Sequence, residues 1–535
     1  MKQALTLVAL SVLAHTANAD FTFSPALEVG YVNQNAKSQT TDRINLESIS
    51  IDPSLVVNYN SRHFDAQWIG RNQYLIRSGN GDSFEDSFPE YSYVGELDVI
   101  DNVLTINANG ALNYRNIEPS SYLVSDRFLD PDLLSKNRNN NIRATVTLNR
   151  LPFVEFNGSV GFTDLDSEQQ NFSQNNLDAE TFSFNSRISQ GSGFKNFVFN
   201  VDSSFETTDS TSDTQQTRGR ATNFDSRTVD ANVVYRLIGD FGLSARARLE
   251  ANKYDGITGS NSSFSYDSYG LGVAYFLSPN RSISITANVS DEDDAESESF
   301  IGVDLAWAFS ARSRISANYG RRFFGESGNL QFSYNTKSLR TRLQYSERLT
   351  TFSRLVSDIE SQGLFVCDSD NIEIGECFQP SSLNPQLEPG QTFVEFSEQV
   401  VDITEEPILN KSTTASLGYS NGRLSTTVEF RYTNPEYLAR QREQINYLTN
   451  WVINWDLGPR TDLRTQLSYS ENYQQSAVER QDFEDTIIRV SSAVRYRVNQ
   501  DLSTELELRV LDRDSNITGR VIRDRRVSFT LRYDF

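Results

Sequence analysis

Apolar and polar residues take turns along this chain with a period of two. From Val527 onward Val527, Phe529, Leu531, Tyr533 and Phe535 occupy every second position, and Ser528, Thr530, Arg532 and Asp534 fall between them. One face is apolar and the other polar, which is the signature of a strand lying between two different solvents. The same period sets Leu243, Ala245, Ala247, Leu249 and Ala251 against Ser244, Arg246, Arg248, Glu250 and Asn252. It sets Leu424, Thr426, Val428, Phe430 and Tyr432 against Arg423, Ser425, Thr427, Glu429 and Arg431, and Leu502, Leu506, Leu508 and Val510 against Ser503, Glu505, Glu507 and Arg509.

Two kinds of connection interrupt the pattern in turn. Short ones such as Asn60-Ser61-Arg62-His63, Asp101-Asn102, Ile238-Gly239-Asp240, Asn421-Gly422 and Gly458-Pro459-Arg460 carry tight-hairpin chemistry. Longer polar segments separate them at 79–90, 116–140, 165–177, 207–220, 291–298, 353–411 and 472–482. Short turns on one rim and long loops on the other predict a single closed antiparallel transmembrane β-barrel, all-β, with periplasmic turns and extracellular loops. Counting segments gives about 24 strands, within about two either way. The even number returns both ends of the barrel to the periplasmic rim.

A charge on the lipid face costs roughly 2–4 kcal/mol at the bilayer midplane, so the charged face must look inward. That assigns a lumen-facing ladder of Arg246, Arg248, Arg340, Arg342, Arg423, Arg431, Arg464, Arg495, Arg497 and Arg509, continued by Arg526 and Arg532, with Glu429, Glu505 and Glu507 among them. A guanidinium ladder could guide an anionic polymer; equally, it could neutralise lumenal carboxylates and brace a wide barrel. Trp68, Trp307, Trp451 and Trp455, with Tyr59, Tyr235, Tyr345 and Tyr469, are candidates for interfacial girdles. The terminal Phe529, Leu531, Tyr533 and Phe535 read as the segment that barrel-assembly machinery recognises.

The other end agrees with export. Lys2, the apolar stretch Leu5 to Leu13 and Ala17-Asn18-Ala19 make residues 1–19 a secretory signal cleaved after Ala19, leaving 20–535 as the barrel of a cell outer-membrane protein. No run approaches the roughly 20 apolar residues that a membrane helix needs. Hydrophobic residues make up 37% and mean hydropathy is −0.49, low for a soluble core yet ordinary for strands with one wet face.

The formal charge of −22 argues against nucleic acid as a partner. Acidic clusters such as Asp291-Glu292-Asp293-Asp294 are solvated loops, or bridge through divalent cations to lipopolysaccharide. Cys367 and Cys377, close together in the longest non-periodic stretch, are expected to form one disulfide tethering a loop in an oxidising periplasm. Segment 353–411 around them is either a plug or cap over the pore, or an external loop packed on its own rim.

Three stretches carry a family resemblance: Ser24-Pro25-Ala26-Leu27-Glu28-Val29-Gly30-Tyr31 with Ile51-Asp52-Pro53-Ser54-Leu55-Val56-Val57-Asn58-Tyr59; Phe393-Val394-Glu395 with Asn410-Lys411-Ser412 and Gly422-Arg423-Leu424-Ser425-Thr426-Thr427-Val428; and Trp451 through Tyr469, which contains Gly458-Pro459-Arg460-Thr461-Asp462-Leu463. On these the chain resembles the outer-membrane β-barrel proteins associated with the PEP-CTERM protein-sorting system and exopolysaccharide loci. Where that family's early strand usually ends in an Asp-Asn pair, this chain has Asn33-Gln34-Asn35. The resemblance implies a setting in envelope polysaccharide export or surface-protein handling and brings no functional residues.

Catalysis is not expected. His15 leaves with the signal, and His63 falls in a turn, so no general base faces a nucleophile. Carboxylates such as Glu505 and Glu507 are better used as partners of Arg495 and Arg509. No metal-ligand spacing or phosphate loop is visible, and no cofactor is expected. What remains is a channel for export or passage of an extended polysaccharide, anionic ones included. The alternative is a non-conducting scaffold that docks periplasmic or surface partners, and a barrel enzyme comes third. The partners expected are outer-membrane lipid and lipopolysaccharide, the assembly machinery, polysaccharide and periplasmic export components.

Overall fold

The computed structural model describes residues 20–38, 44–79, 82–115, 127–128, 134–169, 176–194, 196–214, 217–255, 261–278, 280–292, 297–351, 364–368, 391–395, 407–438, 442–476, 482–517 and 520–535. Those residues contain strands and no helix. The first half runs β1 (Asp20–Ser38), β2 (Ile44–Asn60), β3 (Phe64–Gly79), β4 (Asp82–Ile100), β5 (Leu104–Arg115), β6 (Ser135–Leu148), β7 (Val154–Gln169), β8 (Asn176–Gln190), β9 (Phe197–Thr214), β10 (Thr217–Ile238), β11 (Phe241–Asp255) and β12 (Asn261–Ser278). Then come β13 (Arg281–Glu292), β14 (Ser299–Ser310), β15 (Ser313–Arg322), β16 (Gly325–Asn335), β17 (Leu339–Thr350), β18 (Leu364–Asp368), β19 (Gln391–Glu395) and β20 (Ile408–Asn421). The last six are β21 (Leu424–Tyr437), β22 (Arg442–Gly458), β23 (Thr461–Ser476), β24 (Phe483–Arg497), β25 (Leu502–Ser515) and β26 (Ile522–Asp534).

Every strand but β18 and β19 belongs to one 24-stranded antiparallel sheet, in which each pairs with its neighbour in sequence and β17 pairs with β20. The sheet closes where β26 meets β1, from Ala26 opposite Asp534 to Ser38 opposite Ile522. Closure leaves no edge, which is the condition for strands to cross a bilayer. The expected barrel and its strand count are both met. β18 and β19 form a separate two-stranded hairpin, with Cys367 opposite Thr392. Cys377 and most of 353–411 lie outside the described residues, and with them the disulfide and the plug.

Register fixes the faces, because residues directly opposite one another share one. On β10 and β11 Tyr235 pairs with Leu243 and Val229 with Leu249, all turned outward, while Asp230 pairs with Arg248 and Asn232 with Arg246, turned inward. Leu243 (54% accessible), Leu508 (54%) and Phe529 (47%) stand on the outer surface, whereas Ser244, Glu250 and Asn252 are buried on the inner one. This is a large continuous apolar belt with nothing protein-like against it, so its partner is hydrocarbon. Aromatic rings gather on the belt at the rim that carries the short turns: Tyr59 with Phe64 at 5.5 Å, Phe194 with Phe197 at 5.8 Å, Phe241 with Tyr275 at 5.1 Å and Tyr533 with Phe535 at 4.8 Å.

The two rims differ as the spacing predicts. At the turn rim connections are tight, and Asn102 (φ 59°) and Gly422 (φ 61°) take the left-handed conformation that such turns favour. At the loop rim the strands are longer than expected. Segments 79–90 and 207–220 are mostly strand, and 472–482 begins as strand: β4 starts at Asp82, β9 and β10 are separated by two residues, and β23 continues to Ser476. Pairing persists there because backbone hydrogen bonds do not need an apolar face. What ends at the bilayer boundary is only the greasy side of the alternation, as where Asn223 pairs with Asp209 on the outer face. The ribbons therefore rise beyond the membrane before they turn.

Candidate functional site

The inner wall carries three charged groupings. The first is an arginine-rich arc on β21 to β26. Register turns Arg431, Arg442, Arg464, Arg489, Arg495, Arg497, Arg509, Arg513, Arg526 and Arg532 inward, together with Glu429, Asp462, Asp485, Glu505, Glu507 and Asp524. The pairs are Arg431–Glu429 at 2.8 Å, Arg495–Glu505 at 3.3 Å, Arg497–Asp462 at 3.0 Å, Arg513–Asp485 at 2.7 Å and Arg526–Asp524 at 3.2 Å. Glu507 accepts a hydrogen bond from the Ser528 hydroxyl at 3.3 Å. Near the loop rim this wall is closed to solvent, with Asp485 at 0% and Arg513 at 3%; near the turn rim the Arg497 side chain is 53% accessible.

The second grouping spans β10 to β15. The Arg246 guanidinium bonds Asp230 beside it and Asp304 three strands further round, both at 3.1 Å. Arg248 lies 3.6 Å from Asp230 and 3.7 Å from Glu250. Arg322 grips Glu250 through Nε at 2.9 Å and Nη2 at 2.5 Å, and Arg321 meets Glu298 at 2.6 Å. The long reach of Arg246 depends on bare backbone beneath it: Gly270 stands opposite Arg246, and Gly272 opposite Ser244. A Cβ at Gly272 would sit 1.9 Å from the Ile285 carbonyl oxygen on the neighbouring strand.

The third comes from the connection between β5 and β6. Arg127 pairs with Glu90 and donates to the Gln73 side-chain oxygen at 2.8 Å. Glu90 also takes Arg71 at 2.6 Å and the Tyr114 backbone N–H at 3.1 Å. The next residue, Phe128, lies 5.1 Å from the Arg526 guanidinium on β26 and packs on the cluster of Leu75, Phe88 and Leu134. Two consecutive loop residues thus reach inside the barrel and bridge β3 and β4 to β26, across the closing seam.

Among the sequence-derived candidates, Arg246, Arg248, Arg431, Arg464, Arg495, Arg497, Arg509, Glu429, Glu505 and Glu507 stand on the inner face. Arg340 and Arg342 also face inward, opposite Gly418 and Ser416 on β20. Arg423 does not join the wall, because it completes the tight turn between β20 and β21 and is exposed at the rim. Phe529, Leu531, Tyr533 and Phe535 face outward, and the Phe535 N–H donates to the Pro25 carbonyl at 3.0 Å. Arg489 and Arg513 were legible from the alternation around Ile488 and Val510. Arg127 and Arg322, in or beside a loop-rim connection, had no periodic signal. His63 sits exposed in a turn with Nδ1 3.2 Å from Asp101, and among the described residues no group of three His, Cys, Asp or Glu side chains is gathered as metal ligands.

No family model and no curated protein sequence matches the chain. Solved structures of similar shape include the FrpB iron transporter from Neisseria meningitidis (F5-1 variant), at 10% identity over 98% of this chain and 84% of that one, with a TM-score of 0.46. The siderophore receptor PirA from Pseudomonas aeruginosa shows 10% identity over 96% and 80% with a TM-score of 0.37, and the copper transporter OprC 8% over 95% and 80% with 0.42.

Proposed function

We propose that this chain is an outer-membrane channel through which an extended polysaccharide, anionic ones included, passes in an envelope export system. The observation that carries the reading is the arginine-rich arc of β21 to β26 inside a closed, lipid-clad barrel. Guanidinium groups take carboxylates or phosphates two-point, and their own carboxylate partners hold them extended. A polymer bearing acid groups could exchange from one rung to the next without meeting bare hydrocarbon. No chemistry is asked of the barrel, and the family resemblance points the same way.

A second reading is a non-conducting scaffold that docks periplasmic or surface partners. It is favoured by the closure of the inner wall near the loop rim, where Gln444 and Asp485 are both at 0% accessibility, and by Arg127 and Phe128 lying inside. Reconstitution in planar bilayers separates the two. Discrete conductance steps with a reversal potential favouring anions are expected of the channel. Silence in bilayers where the barrel is inserted and folded supports the scaffold, and cation preference contradicts an anion path along the arc.

A further inference from the structure

Carboxylates match the cations of the inner wall, as Asp230 does Arg246 and Glu250 does Arg322. At the turn rim four cations have no such match. The successive connections β12–β13, β14–β15, β16–β17 and β20–β21 carry Arg281, Arg312, Lys337 and Arg423, all of them exposed. In a chain of net charge −22, no Asp or Glu lies within five residues of any of the four. Among the described residues none of them is in an ion pair, and Arg281 donates through Nε to the Ala308 carbonyl at 2.8 Å. The row ends on acid at both sides, at Asp240 in the β10–β11 turn and at Asp456 and Asp462 around the β22–β23 turn.

We infer that this row is a binding site for anionic phospholipid, whose phosphate headgroups line the leaflet that borders the turn rim. Each cation follows an outward, apolar-bodied side chain of the belt by three or four residues: Leu277, Phe309, Tyr334 and Tyr419. Arg281 stands directly opposite Trp307 on that outer face. Charges so close to the end of the belt lie in the headgroup layer, where a phosphate meets them while its acyl chains cover the apolar side chains. Because β17 pairs with β20, the four turns are neighbours round the barrel. Neighbouring turns are two strands, about 10 Å, apart, so the row follows the lipid annulus for about 30 Å. A docked protein would call for charges gathered in a patch and standing clear of the bilayer. The inference needs the lipid-clad barrel alone and holds whether the barrel conducts or serves as a scaffold.

The test uses the full-length barrel refolded in vesicles of equal phosphatidylcholine and phosphatidylglycerol, with one lipid at a time brominated to quench tryptophan. One version keeps only Trp307, opposite Arg281; a second keeps only Trp68 on β3, near the turn-rim pair of Arg62 and Asp101. Phosphatidylglycerol should associate at Trp307 about threefold more strongly than phosphatidylcholine, and at Trp68 no more strongly. Combining Arg281→Gln, Arg312→Gln and Lys337→Gln should bring the Trp307 ratio to one. Salt at about 1 M, which screens charges beyond about 3 Å, should do the same with the row intact, and decides the matter if the triple variant fails to fold. A preference at Trp307 that survives screening, or an equal one at Trp68, overturns the site. Equal association of the two lipids at Trp307 also overturns it, and would leave an acidic protein surface as what the row meets.

Discussion

Glu90 is surrounded by Arg71, Arg127 and the Tyr114 N–H, and is itself 8% accessible. Its removal would leave two guanidinium groups partly buried without their carboxylate, which typically costs about 3 kcal/mol. Glu505, whose side chain is 29% accessible beside Arg495, is a wetter partner, and pairs of that kind contribute about 1 kcal/mol or less. Glu90→Ala is therefore expected to lower the unfolding free energy in lipid vesicles several times more than Glu505→Ala, as read by tryptophan fluorescence in urea. Equal losses would mean that the Arg127 contact from the connection between β5 and β6 adds nothing. This contact was invisible in the sequence, because a loop residue that folds inward leaves no period behind it. Glu505 and Arg495, by contrast, could be placed on one face by counting in twos.

At the scale of the strand, the alternation specifies the face and the glycines specify how closely strands may lie. Leu508→Arg puts a charge on the belt and should destabilise the barrel by about 2–4 kcal/mol, while the neighbouring Arg509 is native one step away. Gly272→Val is expected to abolish heat-modifiable folded barrel on a gel, since its Cβ would meet the Ile285 carbonyl at 1.9 Å; Gly328→Ala, whose added Cβ would find its nearest neighbour at 3.6 Å, should fold normally. A folded Gly272→Val barrel would show that the wall can spread there. Strand existence and hairpin order were legible from the sequence because each needs only local alternation and turn chemistry. Strand ends were not: at 79–90 and 207–220 polar residues on both faces look like loop, yet backbone pairing carries on above the membrane. Arg423 was misplaced for the converse reason, since the alternation runs on through a turn that Gly422 has already begun.

For the whole molecule, closure between β1 and β26 turns a row of two-faced ribbons into a vessel with hydrocarbon outside and a charged interior. Everything proposed for the lumen follows from that partition. It is tested most directly by spin labels placed singly at positions 243 to 251 of β11, in a barrel whose two cysteines are replaced by serine, reconstituted in bilayers. Labels at 243, 245, 247, 249 and 251 should collide preferentially with oxygen dissolved in the lipid. Labels at 244, 246, 248 and 250 should show low oxygen access and instead respond to a water-soluble nickel chelate wherever the lumen is wet. An accessibility profile without this period of two, or one with nickel access at the odd positions, would contradict a lipid-spanning barrel.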